Sequence, residues 1–354
     1  MKKIYKTDFG EIIYNGLKNY NTFIETSIPG KLPKWTTENQ IVINNKSFIL
    51  RKFKNKNINQ KHKPTIIVPP QAGHSSHIAD YDRGQSIVET VLDTRDSDVY
   101  CIEWLSCTQE RKNESISDLV YQLKTVFDFV GESHLIGLCQ GGWLSAIYTS
   151  LYQNSVKSLT CMASPIDFHG EGGIIYDMCT NLGIEAYRFF VSLDNGIMSG
   201  KNMLLGWKSM NFIDRYIIDY LDIFNSLNDE EKIKKIYKFR CWYENTQDIA
   251  GTWYLEAVEK LFIENRLIVG DFQLNKNSEP IDLRNIVCPI VMIAGNKDDI
   301  TLKSHLFALG EYASSELQYK DVIDSVGHIG VFISKKSQPH IVESINWLVN
   351  NLFV

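Results

Sequence analysis

A cysteine stands at the centre of Gly137-Leu138-Cys139-Gln140-Gly141-Gly142, a G-x-C-x-G sequence that follows the apolar run His134–Leu138 and precedes a helical stretch. Strand, G-x-nucleophile-x-G and helix in that order describe a nucleophile elbow. The turn is so tight that its central residue is strained, and the residues two positions away on each side must be small. The turn lifts Cys139 to the N-terminus of the next helix, where the dipole and the unpaired N–H groups favour a thiolate. The N–H of Gln140, the residue after the nucleophile, is placed to donate to a developing oxyanion. The same residues also fit a small buried cysteine in a glycine-rich turn with no chemistry. A base and an acid elsewhere in the chain decide between the two readings.

In this chain order the acid should come next and the histidine last. The run Cys288–Gly295 ends in Asn296-Lys297-Asp298-Asp299, which makes Asp298 the candidate acid and Asp299 its neighbouring rival. Thirty residues on, His328 lies between glycines in Gly327-His328-Ile329-Gly330, a loop from which a base can reach across strand ends. Asp167, in Ser164-Pro165-Ile166-Asp167, is a further acid candidate, or else a turn residue. The chemistry these residues imply is proton transfer from Cys139 to His328, oriented by Asp298, followed by thiolate attack on an acyl carbonyl. The loop after Thr65–Val68 offers a second oxyanion N–H at Gln71. His74 and Trp143 are candidate substrate contacts. His74 and His77 have His-x-x-His spacing with Asp80 close by, but they lie on a loop without a further ligand, so neither a metal nor a cofactor is expected.

The elements that must hold these residues alternate. Short apolar runs at Thr65–Val68, Asp98–Trp104, His134–Leu138, Val156–Ala163, Cys288–Ala294 and Glu316–Val322 read as strands. Helical patterns fall between them at Ser115–Val130, where Ser115 and Asp118 form a capping-box pair, and at Gly141–Leu151. Near-continuous apolar strands alternating with helices predict an α/β fold with a mostly parallel sheet flanked by helices on both faces. The alternation stops after Gly170-Glu171-Gly172-Gly173. A helical, aromatic-rich stretch follows, read as a cap over 170–282 inserted between core segments 1–169 and 283–354. Trp207, Trp242, Tyr243, Trp253 and Tyr254 are its candidate tunnel residues, although aromatics at helical spacing also build ordinary cores. Glu230–Lys238 reads as a solvated helix face or, alternatively, as a basic patch for CoA phosphates or a partner subunit.

The 354 residues, 44% hydrophobic and 22% charged, exclude a disordered chain and leave room for two units or one elaborated domain. A net charge of −5 without a basic block argues against a nucleic-acid partner. Seven cysteines without C-x-x-C spacing fit reduced thiols in a cytoplasm. Lys2, Lys3 and Lys6 are followed by Asp8, Gly10 and Glu11 before any apolar run, unlike a secretion leader. No apolar run is long enough for an integral membrane span.

Taken together, Gly137–Gly142, Ser164-Pro165-Ile166-Asp167-Phe168, Gly295-Asn296-Lys297-Asp298 and Gly327-His328-Ile329-Gly330 resemble the short polyhydroxyalkanoate synthases, with Glu103-Trp104 where those have Asp-Trp. The resemblance runs from about Pro64 to Val354. It implies an α/β-hydrolase fold with a cysteine nucleophile, and polymerisation of 3-hydroxyacyl-CoA through a thioester on Cys139. The implied partners are hydroxyacyl-CoA or polyester as substrate, a second synthase subunit or a homodimer, and a polyester granule surface. One segment departs: Val68-Pro69-Pro70-Gln71-Ala72-Gly73-His74 looks more like the loop of intracellular depolymerases and of synthase-like proteins with a Cys-Gln-Gly-Gly-Trp elbow. Those usually carry Cys-Gln-Pro where this chain has Cys139-Gln140-Gly141. A hydrolase with the same three residues is therefore the alternative, and a non-catalytic granule scaffold the third reading.

Overall fold

The computed structural model describes residues 9–55, 62–210 and 212–352, so Lys2, Lys3 and Lys6 lie outside the described residues. The chain divides into two compact units, one drawn from residues 34–200 and 247–354 and the other from residues 1–33 and 201–246.

The first unit is built on eight strands: β1 (Gln40–Asn44), β2 (Phe48–Phe53), β3 (Thr65–Val68), β4 (Val99–Trp104), β5 (Ser133–Leu138), β6 (Val156–Met162), β7 (Ile290–Gly295) and β8 (Gln318–Ile323). They form one sheet in the order β1-β2-β4-β3-β5-β6-β7-β8. β2 runs antiparallel to both its neighbours, and every other pairing is parallel. Every residue of β3, β5 and β7 is buried. Strands buried at every position need cover on both faces, and this sheet provides it. The expected α/β-hydrolase sheet is the one observed.

Local chemistry sets the element ends. Ser115 and Asp118 close the capping box that starts the helix Ile116–Val130, and Gly131, at φ 88°, ends it. Asn45 Oδ1 accepts the N–H groups of Ser47 and Phe48, each at 2.8 Å, and so turns β1 into β2. The helix Gln140–Leu151 lies against β5 and β6.

The stretch 170–282 contributes to both units. The helix Ile174–Leu193 and residues 247–282 belong to the sheet-bearing unit, where Cys179, Tyr187 and Val258 form a buried cluster with Tyr254 and Phe262 packed on it. Residues 201–246 form the second unit with the N-terminal helix Phe9–Ser27. There Trp242 and Tyr243 are buried, and Tyr243 stacks on Phe239 at 5.4 Å. Buried Arg240 donates to Ser27 O, pairs with Glu244 and covers the Tyr220 ring. Glu230, Glu231, Lys232, Lys234 and Lys235 face solvent. Among the described residues, no helix is long and apolar enough to cross a membrane.

Candidate active site

Cys139 sits between the end of β5 and the start of the helix Gln140–Leu151 with φ 50° and ψ −118°, a conformation in which a non-glycine residue is strained. The junction holds it there. Its N–H donates to Met162 O on β6 at 2.9 Å, and its carbonyl accepts from Gly142 N–H at 2.8 Å. The glycines are demanded by contact rather than by flexibility. A Cβ at Gly137 would stand 2.5 Å from Gly141 O, and one at Gly141 would stand 2.0 Å from Val68 O. The thiol remains partly accessible, whereas the other six cysteines are buried. Gln140 is the first helical residue, so its N–H has no partner within the helix.

Asp298 and His328 come from the loops after β7 and β8. Asp298 Oδ2 lies 2.8 Å from His328 Nδ1, while its Oδ1 accepts the N–H groups of Ile300 at 3.0 Å and Thr301 at 2.8 Å. Its side chain is fully enclosed, and the rival Asp299 is exposed. His328 is hydrogen-bonded to Asp298 and lies close enough to Cys139 to feel its charge. Burial alone would push this imidazole down. The charges of Cys139 and Asp298, with the Asp298 hydrogen bond, outweigh it and hold His328 well above its ordinary value. A half-buried imidazole held by a carboxylate beside a thiol can take and return the thiol proton.

A brace absent from the expected set aligns the two loops. Asn296 Nδ2 donates to Asp324 Oδ1 at 2.9 Å, and Asn296 Oδ1 accepts from Ser325 N–H at 2.6 Å. Gly295 permits their approach, since a Cβ there would meet Val326 O at 2.4 Å. The only signal in the sequence was the presence of Asn296 within the Gly-Asn-Lys-Asp turn.

The loop after β3 departs from expectation. The Gln71 N–H is not open to an oxyanion, because it donates to Gln140 Oε1 at 2.6 Å inside a buried junction. Trp104 fixes the same loop through an Nε1–H bond to Pro69 O at 2.9 Å. Trp143 is 1% exposed and offers no open surface to a ligand. His74 is half-buried between Gly73, whose carbonyl accepts from Gln247 N–H, and Ser75. Asp167 serves its turn: Oδ1 accepts the N–H groups of His169 and Gly170 and the Asn265 amide. Asp80 is bound by Thr36, Thr37 and Ser86. His77 lies 4.6 Å from the Trp35 ring, where burial and then the Arg51 charge lower it to about 4. Among the described residues, no three His, Cys, Asp or Glu side chains gather as metal ligands.

Residues 42–352 match the family described as Protein of unknown function (DUF3141). The chain belongs to that family. Curated relatives include the poly(3-hydroxyalkanoate) polymerase subunit PhaC of Synechocystis sp., 28% identical over 353 residues, covering 96% of this chain and 91% of the relative. The subunit of the same name from Thiocystis violacea is 26% identical, with 77% of each chain covered. Among solved structures, a monoacylglycerol lipase from Paleococcus ferrophilus superposes with a TM-score of 0.52 at 12% identity, over 86% of this chain and 98% of the lipase, which speaks to the fold. Fold and relatives together make this family member a polyhydroxyalkanoate synthase-like protein of the α/β-hydrolase superfamily.

Proposed function

We propose that the chain is a cysteine-dependent acyltransferase that polymerises 3-hydroxyacyl-CoA, with Cys139 as nucleophile, His328 as base and Asp298 as its orienting acid. The observation that carries this reading is the half-buried imidazole bonded to Asp298 on one side and placed near the strained elbow thiol, whose charge acts on it. The names of the PhaC relatives supply the substrate class.

The geometry supports the following steps. The Cys139 thiolate attacks the thioester carbonyl, and the oxyanion meets the Gln140 N–H at the positive end of the helix. The carbon–sulfur bond to CoA breaks, and His328 returns its proton to the departing CoA thiolate. One thioester has replaced another, so the acyl group keeps its reactivity. The hydroxyl of a second hydroxyacyl unit then attacks, its proton passes to His328, and ester formation releases Cys139 as the thiolate. Because Gln71 N–H already binds the Gln140 side chain, the elbow N–H is the oxyanion donor in this reading.

A second reading, hydrolysis of the polyester or a related thioester, draws on the depolymerase-like loop at Val68–His74. Incubation with 3-hydroxybutyryl-CoA separates the two, with free CoA and free 3-hydroxybutyrate followed together. CoA without matching acid, and polymer in the pellet, is the expected result. Acid equal to CoA overturns synthesis in favour of hydrolysis. Silence in both channels, with Cys139 unreactive to acyl donors, overturns both.

A further inference from the structure

The second unit holds a cavity of about 330 Å³ that no step of the proposed reaction calls on. Lys201, Leu204, Leu205 and Lys208 of the helix Gly200–Met210 line it, together with Tyr216 and with Glu244 at the end of the helix Glu230–Tyr243. Such a volume admits a small organic molecule.

The charges around it do not balance. Lys208 and Arg240 are 8% and 4% exposed, and both pair with the same carboxylate. Lys208 Nζ lies 2.9 Å from Oε1 and 2.7 Å from Oε2 of Glu244, and Arg240 Nη2 lies 2.8 Å from Oε1. Two buried cations on one anion leave a positive charge over, and a buried charge without a counter-ion is costly. Nearby acids are engaged elsewhere, Asp219 with Arg215 and Asp222 with Lys232. Arg240 also donates to Ser27 O and covers the Tyr220 ring. Lys208, on the cavity wall, is less committed. An ammonium has three donors, of which Glu244 takes two, so one remains for a ligand. Lys201, on the same wall, is exposed and forms no ion pair among the described residues.

The rest of the wall narrows the choice of ligand. One surplus charge calls for a monoanion, and the carboxylate of Glu244 on the same wall disfavours a dianion such as phosphate. Leu204, Leu205 and the Tyr216 ring offer apolar surface to a hydrocarbon chain. We infer that this cavity binds an organic carboxylate with a short hydrocarbon chain. The carboxylate meets Lys208 and Lys201, and the chain lies along Leu204, Leu205 and Tyr216. This assignment is independent of the acyltransfer reading.

Calorimetric titration of the full chain with hexanoate tests it, with acetate and inorganic phosphate as comparisons. Hexanoate should saturate the site and bind about tenfold or more tightly than acetate, because its extra methylenes are buried. Lys208→Met leaves Arg240 and Glu244 as a balanced pair, so it should melt no lower than the unaltered chain and weaken hexanoate about 10–100-fold. Lys201→Glu, at an exposed position that does not threaten the fold, sets a repelling charge beside the carboxylate and should weaken it by about threefold or more. No saturable binding at millimolar hexanoate overturns the site. Affinity unchanged by both substitutions overturns it as well, and hexanoate that then shields Cys139 from iodoacetamide is bound at the elbow instead. Phosphate binding as tightly as hexanoate overturns the carboxylate assignment, a result that needs no variant to fold.

Discussion

Asp298→Asn isolates what the acid does. Oδ1 of Asp298 accepts two backbone N–H groups, from Ile300 and Thr301, so an amide at this position must keep its oxygen there. Its NH2 then takes the place of Oδ2, 2.8 Å from His328 Nδ1, and donates to that nitrogen. A neutral imidazole that accepts at Nδ1 carries its proton on Nε2, the nitrogen left to face Cys139. Such a ring cannot take the thiol proton. The substitution also removes one of the charges that hold His328 high. A wrong tautomer in a nucleophile–histidine–acid set costs about 10⁴-fold in kcat, or roughly 5.5 kcal/mol in the barrier. Stopped-flow CoA release from 3-hydroxybutyryl-CoA measures the loss, and iodoacetamide labelling of Cys139 from pH 5 to 9 shows its cause. The unaltered chain should be alkylated well below the pH at which the variant begins to react. Turnover of the variant within about tenfold of the unaltered chain, with its thermal melt preserved, would refute the reasoning and mean that His328 reaches its working tautomer without Asp298.

Four further outcomes follow from the same geometry. Gly141→Ala drives a Cβ to 2.0 Å from Val68 O, so it should cost about 1–3 kcal/mol in a urea melt and depress acylation by more than the folded fraction explains. Trp104→Phe keeps an aromatic ring but loses the Nε1–H that binds Pro69 O and leaves a void in a fully buried site, costing about 2–5 kcal/mol of stability by the same assay and slowing Cys139 acylation. Asp167→Asn and Asp299→Asn should keep kcat within about threefold, because the first holds a turn and the second is exposed; a 100-fold loss in either would move the acid away from Asp298. Burial lowers His77 from 6.5 to about 4, and burial with the Arg95 charge lowers His134 to about 2. Their folded values lie below the unfolded one, so the stability gained by keeping them neutral is full above pH 6.5 and falls as pH drops below it. Each contributes about 1.4 kcal/mol per pH unit in that window, and urea midpoints at pH 7 and pH 5, with His77→Gln removing one of the two slopes, read it directly.

The fold was legible where burial is two-sided. β3, β5 and β7 are buried at every position and mostly apolar because both faces are covered, and a run of that kind needs no partner to be recognised. The hairpin of β1 and β2 went unread for the opposite reason. β1 is mostly exposed, β2 carries Arg51 and Lys52 among its apolar residues, and the turn depends on an Asn45 side chain whose bonds composition does not reveal. The division of residues 170–282 between the two units was equally hidden. Aromatics at Tyr187 and Tyr254 and those at Trp242 and Tyr243 look alike in the sequence, and only packing assigns them to separate cores.

The candidate site divides in the same way. Cys139, Asp298 and His328 could be singled out because each follows a strand in a turn of recognisable composition. The choice of Asp298 over Asp299 is then made by burial. The Asn296 brace and the Gln71–Gln140 bond join residues about 30 and 69 positions apart, and no local pattern encodes such partners. The elbow motif carries more than local strain, and that is why it was so readable. Gly137 is crowded by the backbone of Gly141 and Gly142, Gly141 by Val68 at the end of β3, and Gly142 by Ser164 just beyond β6. Its glycines therefore serve contacts that reach from β5 to the ends of two neighbouring strands. A Cβ at Gly141, including that of the proline in the depolymerase-like Cys-Gln-Pro, would have to displace Val68 O and with it the loop that carries Gln71. The elbow and that loop are one mechanical unit, so a change in either should alter how the thiol meets its acyl donor.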